Sequence, residues 1–256
     1  MQKDTWNPAQ YERFKEQRQE PVNDLLALIQ PRPMARAVDL GCGTGELTAL
    51  LHERRNIGQT TGIDRSAAML EKAAAFTRTG LKFEQGTIED WTETAGIDLL
   101  FSNAALQWTS NHPALFSRFR DCLSVGGQLA VQMPANHDHL SHRLAGEIAQ
   151  QAPFSQALAG YVRLSPVLPV EEYATMLHGL GFSEVQALTK VYGHQLSSVG
   201  DLVEWVKGTL LTDYEARLPA ALFAQFLERY SRRLNAALGE GKYFYAFKRT
   251  ILWALR

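Results

Sequence analysis

Ala37-Val38-Asp39-Leu40-Gly41-Cys42-Gly43-Thr44-Gly45-Glu46 decides the fold. The stretch opens as an apolar strand and ends at the mouth of a helix, with three glycines at alternate positions between. Without a Cβ, the backbone can pass close beneath a ligand. The helix that follows turns the partly positive end of its dipole to the same spot. Working outward, residues 35–40 read as a strand, 47–54 as a helix and 60–64 as a strand ending in an acid. Ser66 caps a helix running to Phe76, with Met69, Leu70 and Ala73 inward. Strands follow at 81–88, 97–102 and 128–133, with a helix over 113–122 and a turn at Gly126-Gly127. Such a βαβα order requires a parallel sheet with helices on both faces.

Upstream, Asn7 and Pro8 suit the N-cap and first turn of a helix. Pro21 predicts a break, with a second helix over 22–29 carrying Leu25, Leu26 and Ile29. Downstream, the pattern predicts helices over 137–151, 170–180 (closed by Gly181), 202–206 and 222–238. Strands are expected over 182–196 and 243–255. A chain of 256 residues can bury one large core. The formal net charge of -1 gives no excess that would draw nucleic acid or a membrane surface. No apolar run has the length of a membrane span, and Met1-Gln2-Lys3-Asp4 leads into polar sequence without a signal peptide's apolar segment. Cys42 and Cys122 alone build neither a disulfide framework nor a zinc site. These features point to a cytoplasmic protein without metal, a monomer or weak oligomer.

The loop and the next strand end together suggest a ligand. Ligands of open parallel sheets sit beyond the carboxyl ends of the strands, where strand order reverses. Asp64 ends the second strand, 23 residues after Gly41, and a carboxylate there can take two hydrogen bonds from a ribose diol. A dinucleotide would use the same acid. Its Gly-x-Gly-x-x-Gly fingerprint, however, needs a glycine where this chain has Glu46, and Gly45 comes one place early. S-adenosylmethionine (SAM) has no pyrophosphate to cradle. It needs room for a methionine moiety and an acceptor for its ammonium group, and Asp39 is placed to serve that ammonium directly or through water.

Asp39-Leu-Gly-Cys-Gly-Thr-Gly45 and Gly62-Ile-Asp64, followed by Ser66-Ala-Ala-Met69, resemble the class I SAM-dependent methyltransferases. Further stretches resemble the trans-aconitate 2-methyltransferase group. These are Trp6-Asn7-Pro8-x-x-Tyr11, Asn103-Ala-Ala-Leu-Gln107-Trp108, His112, Leu129-Ala-Val-Gln132-Met-Pro134, His194-Gln195, Glu204-Trp205-Val206, Phe226-Leu-x-Arg-Tyr230 and Ala246-Phe247-x-Arg249. The resemblance implies an α/β fold, a Rossmann-like seven-stranded, mostly parallel sheet of order 3-2-1-4-5-7-6 with the last strand antiparallel. It implies a single methyltransferase domain over 1–256, with lid helices at 1–33, a cofactor core at 34–135 and a substrate-covering helical insertion at 197–242. SAM would bind and S-adenosylhomocysteine leave. By the same resemblance, Asp64 would hold the ribose, and Arg65 and Met69 would flank the adenine. Thr87 and Ile88 would meet the adenine edge, and Asn103 and Ala104 would line the methionine side, above Gly41 and Gly43. Tyr11 and Arg18 of the lid would reach the cofactor. Trp6, Gln107, Trp108, His112, His194 and Lys207 would serve the substrate.

A carboxylate acceptor is ionised at neutral pH, so its methylation needs no general base and no catalytic residue is assigned. In-line attack on a sulfonium methyl asks for positioning and exclusion of water. The acid's other carboxylates ask for cations, for which Arg163, Lys207, Lys242, Lys248 and Arg249 are candidates. The family segment Gly-Leu-Arg-Pro after Trp205 reads Leu210-Leu211-Thr212-Asp213 here, so Thr212 stands in place of an arginine. The expected acceptor is a small organic acid, trans-aconitate or a relative. A carrier-bound malonyl ester or another small molecule is the alternative within the class. A nicotinamide-dependent oxidoreductase or a non-catalytic SAM-binding protein is the alternative outside it. His137, His139 and His142 read as a solvated helix start rather than a metal site. His112 reads as a helix cap or, for a hydroxyl acceptor, a general base.

Overall fold

The computed structural model describes residues 16–92 and 96–256, with side chains from residue 20 onward. In chain order the elements are α1 (Glu16–Leu28), β1 (Arg36–Leu40), α2 (Glu46–Arg54), β2 (Gln59–Asp64), α3 (Ala67–Ala73), β3 (Leu81–Gln85) and β4 (Ile97–Asn103). Then come α4 (His112–Cys122), β5 (Leu123–Pro134), α5 (Leu140–Ala149), α6 (Phe154–Ala157), α7 (Val170–Gly179) and β6 (Glu184–Leu196). The chain closes with α8 (Val199–Lys207), α9 (Thr212–Arg217), α10 (Ala220–Leu238) and β7 (Tyr243–Leu255). The seven strands form one sheet of order β3-β2-β1-β4-β5-β7-β6, as the resemblance implied. β1 lies between β2 and β4, parallel to both, and β7 runs antiparallel to β5. Ala37, Val38, Asp39 and Leu40 are all buried, as befits a strand covered on both faces.

Two compact units divide the chain. The sheet unit takes in Gln19–Pro134, Pro166–Lys190 and Arg249–Arg256. Its core joins Val22, Leu25, Leu26 and Ile29 of the first helix region to Leu99, Phe101, Ile251 and Trp253 of the sheet. The helical unit takes in Ala135–Ser165 and Val191–Lys248. It packs α5, α6, α8, α9 and α10 around Phe154, Trp205, Tyr214, Phe226 and Tyr230. Among the described residues, no helix is long and apolar enough to cross a membrane.

The structure departs from the sequence reading at several points. α1 runs straight through Pro21. Lys190 clasps it on either side of the proline, reaching Glu20 at 3.3 Å and Asp24 at 2.7 Å, while Val22 and Leu25 are buried just beyond. Gly126-Gly127 is a bulge within β5 rather than a turn before it. Ile97 pairs with Leu123 and Leu99 already with Gln128, so the intervening residues loop out of register. β3 ends at Gln85, three residues early: the Gly86 N–Asp64 carbonyl bond at 3.0 Å is the last rung of the parallel ladder, and β2 offers no residue beyond Asp64 to pair with. The single-turn α6 and the short α9 are too brief to carry a readable period.

Candidate active site

The glycine loop lies between β1 and α2, with all three glycines at positive φ. Their surroundings separate their roles. A Cβ on Gly41 would fall 2.2 Å from the Ala105 Cβ, so Gly41 lets the end of β4 tuck under the loop. A Cβ on Gly45 would press into Phe83 and Ala73 at 2.8 and 2.9 Å, so Gly45 lets α2 sit against β3 and α3. A Cβ on Gly43 would meet nothing within 4 Å. Gly43 therefore leaves open space, which is what a ligand floor requires and a bare packing turn does not.

Asp64 fastens this floor. One carboxylate oxygen accepts from Gly43 N at 2.8 Å and the other from Ser66 N at 2.9 Å, at the mouth of α3. Ser66 caps that helix by accepting from Met69 N, and Met69 is buried. Arg65 follows Asp64 and is exposed. Asp39, one residue before the end of β1, is 2% exposed and accepts the Thr48 hydroxyl at 2.6 Å. Burial drives its pKa up to about 7. The Thr48 bond opposes the rise, and the nearby charge of Asp64 adds to it. A carboxylate held so far above its ordinary range is primed to receive a cation. The Cys42 thiol is pushed up as well, chiefly by burial, which makes it a packing group rather than a nucleophile.

Beyond β3, Ile88 brings its Cδ1 to 3.8 Å from where a Gly41 Cβ would stand. The Thr87 hydroxyl donates to Asp90 at 2.7 Å and accepts from Asp90 N at 3.0 Å, so it faces its own turn. Asp90, held to Thr87 in this turn, is an exposed acid to which the sequence reading gives no role. Arg118 of α4 was also missed. Its two terminal nitrogens donate to the carbonyls of Ile88 (2.7 Å) and Glu89 (2.8 Å) and hold the turn in place.

At the end of β4, Asn103 accepts from Gln132 at 3.2 Å, and Gln132 in turn accepts from the buried Arg249 at 2.7 Å. Arg249 is thus committed inside the sheet. Ala104 takes a positive φ of 54°, a strained setting for a residue with a side chain and one that clusters at functional sites. Gln107 donates to the Ala104 carbonyl at 2.7 Å. Its buried Oε1 has no hydrogen-bond partner among the described residues. Trp108 is half-buried on the same 3₁₀ turn.

His112 is 1% exposed and both of its nitrogens are used. Nε2 faces the Leu106 carbonyl at 3.0 Å and so carries the hydrogen, and Nδ1 accepts from the Tyr173 hydroxyl at 2.5 Å. Burial holds its pKa down. The ring is a neutral tie between α4 and α7, and Asn111 rather than His112 caps α4. This corrects both the general-base and the cap readings.

In the helical unit, His194 packs against Trp205 with tilted rings whose centroids are 5.0 Å apart, and Lys207 reaches Glu204 one turn back at 3.8 Å. Lys248 pairs with Asp138 at 2.5 Å. The three-histidine stretch is more than a solvated helix start. His137 is exposed, but His139 caps α5, bonds the Tyr243 hydroxyl at 2.9 Å and touches Ser141, which also meets His142. Burial pushes His142 down to about 3. No group of three or more metal-binding side chains occurs among the described residues. Trp6 and Tyr11 lie outside the described residues, as does the side chain of Arg18.

A family model described as a methyltransferase domain matches residues 32–174. The trans-aconitate 2-methyltransferase of Deinococcus radiodurans is 47% identical over 258 aligned residues, covering 98% of both chains. Its namesake from Paracidovorax citrulli is 40% identical, again over 98% of each. Among solved structures, the YcgJ protein of Bacillus subtilis superposes with a TM-score of 0.61 at 14% identity, covering 93% of this chain and 98% of that one. The phosphoethanolamine N-methyltransferase 2 of Haemonchus contortus, solved with SAM, gives 0.56 at 16% identity over 93% of this chain and 52% of that one. At such identities these two structures speak for the fold alone.

Proposed function

Because the chain belongs to the trans-aconitate 2-methyltransferase family of SAM-dependent methyltransferases, we propose that it methylates a carboxylate oxygen of trans-aconitate or a closely related small acid. The observation that carries this reading is the near-full-length likeness to proteins named for that reaction.

In this reading the open space over Gly43 receives the cofactor, with Gly41 beneath it and Asp64 offering its remaining lone pairs to the ribose. Ile88 and Met69 supply apolar walls for the adenine, beside Arg65. Asp90, braced by Thr87, supplies the acid at its edge. Asp39 answers the ammonium group, whose arrival favours the ionised carboxylate over the protonated one. Asn103 and Ala104, fixed through Gln132, line the methionine side together with the acceptor oxygen of Gln107. When bound, SAM supplies an electrophilic methyl group on a sulfonium. The chain's own residues orient the acid and keep water out, since an ionised carboxylate has no proton to lose. That His112 is buried and fully hydrogen-bonded agrees with a reaction that needs no base.

The test is transfer of labelled methyl from SAM to a panel of di- and tricarboxylic acids including trans-aconitate. Base-labile label in trans-aconitate or a close relative is the expected result. Label reaching only amines or hydroxyls, or no acceptor at all, overturns the reading.

A further inference from the structure

We propose that Tyr173 and His112 are positioning residues of the cofactor site, holding through one line of hydrogen bonds the backbone turn that presents Ala104 and Gln107 to the methionine half of SAM. The inference rests on the cofactor placement proposed above, and every residue in it belongs to the sheet unit.

The line starts outside the cofactor loops. The Tyr173 hydroxyl on α7 accepts from Leu168 N at 3.2 Å, which leaves its own proton for another partner. That proton is directed at His112 Nδ1, 2.5 Å away, ahead of the Met133 sulfur at 3.7 Å. With Nδ1 an acceptor, the neutral ring carries its one hydrogen on Nε2, which donates to the Leu106 carbonyl at 3.0 Å. Leu106 begins the 3₁₀ turn that ends at Trp108. The turn carries Gln107, whose amide nitrogen donates to the Ala104 carbonyl at 2.7 Å, while Ala104 N donates to the Gln132 carbonyl at 2.8 Å.

Ala104 has to be held at both ends. Its φ of 54° is a setting that persists only where the surroundings over-determine it. β5 secures one end through Gln132. The other end depends on where Gln107 stands, and so on the turn. The Leu106 carbonyl also receives the N–H and the hydroxyl of Thr109, at 3.0 and 2.8 Å, but these bonds close the turn on itself and travel with it. The imidazole bond comes from α4 and, through the phenol, fixes the turn to α7 as well. Placement of this segment matters to the cofactor floor, because the Ala105 Cβ lies only 2.2 Å from where a Gly41 Cβ would stand. It matters to the site's polar lining too. Gln107 Oε1 is a buried acceptor with no partner among the described residues, and a donor on the bound cofactor would satisfy it. The pair itself is unsuited to chemistry, since His112 and Tyr173 are buried and both ring nitrogens are spent.

Titration calorimetry with S-adenosylhomocysteine, alongside melting curves without ligand, tests this. Tyr173→Phe keeps the ring in the core and removes only the hydroxyl. It is expected to raise the Kd about tenfold, the scale of one lost hydrogen bond, with the variant still folded at the temperature of the titration. His112→Gln can place an amide N–H where the Nε2–H stands and is expected to bind almost as the unmodified protein does. His112→Asn is too short to reach the Leu106 carbonyl and is expected to lose as much affinity as Tyr173→Phe. A purely structural tie predicts a lower melting temperature in all three variants with an unchanged Kd in each. A Kd for Tyr173→Phe equal to that of the unmodified protein, or equal losses in His112→Gln and His112→Asn, overturns the proposal. If the unmodified protein binds S-adenosylhomocysteine and the variants bind it equally well, the positioning role falls and the cofactor placement stands. If the unmodified protein does not bind it, both fall.

Discussion

Gly41 and Gly43 share a left-handed backbone and little else. Alanine at position 41 would drive a methyl group into Ala105, whereas alanine at 43 enters open space. Gly43→Ala is therefore expected to fold with a loss of only about 1–2 kcal/mol from its backbone setting and to lose SAM binding. Gly41→Ala is expected to lose thermal stability outright. Melting curves with and without S-adenosylhomocysteine check both, and ligand-induced stabilisation of Gly43→Ala equal to that of the unmodified chain would count against the floor. Asp64 carries the loop as well as the proposed ribose contact, because its two oxygens bond Gly43 N and Ser66 N. Asp64→Ala is thus expected to weaken SAM by more than the roughly 1.5–3 kcal/mol of one hydrogen bond to a charged group, as read by titration calorimetry. The glycines and Asp39 were legible because they sit within one strand–turn–helix, and Asp64 because it ends the next strand. Which glycine faces the ligand was not legible, since Ala105, Phe83 and Ala73 arrive from other strands and helices. The pairing of His112 with Tyr173 was equally hidden, as only folding brings residues so far apart in sequence together.

Arg118 illustrates what an element contributes from outside the site. α4 presents its guanidinium to the turn after β3, and that turn carries Thr87, Ile88 and Asp90. Arg118→Ala is expected to raise the Kd for SAM severalfold while shifting the melting temperature by only a few degrees, because the turn loosens and the core does not. A Kd equal to that of the unmodified protein would mean that the turn holds its shape alone. Elements with a clear period were readable in order and type, and the sheet order agreed with that implied by the family resemblance. The misread elements were decided by distant partners. α1 survives Pro21 with Lys190 of β6 clasping both sides of the proline. His139 looks solvated until Tyr243 of β7 reaches it.

Over the whole molecule, two sets of buried groups pull stability in opposite directions with pH. His142, held near 3, and His112 and His139, both lowered, are neutral in the native state. The stability they confer is complete above the unfolded histidine value of about 6.5 and is lost as pH falls below it. Asp39, raised from 3.8 to about 7, keeps its proton in the native state where the unfolded chain has released it. Its contribution is complete below pH about 4 and is lost as pH rises to about 7. Asp39→Asn is therefore expected to be more stable than the parent near pH 8, and to lose stability more steeply between pH 7 and pH 5. Urea titrations across that range provide the check, and parallel slopes would mean that Asp39 is ionised throughout. The strand order carries one more consequence, for synthesis on the ribosome. β7 comes last in the sequence but lies between β5 and β6 in the sheet. Until that final stretch clears the exit tunnel, β6 has no neighbour on its inner side and β5 shows an open edge. The nascent chain must therefore carry an unfinished sheet until β7 has emerged, when the arrival of Trp253 in the core closes it.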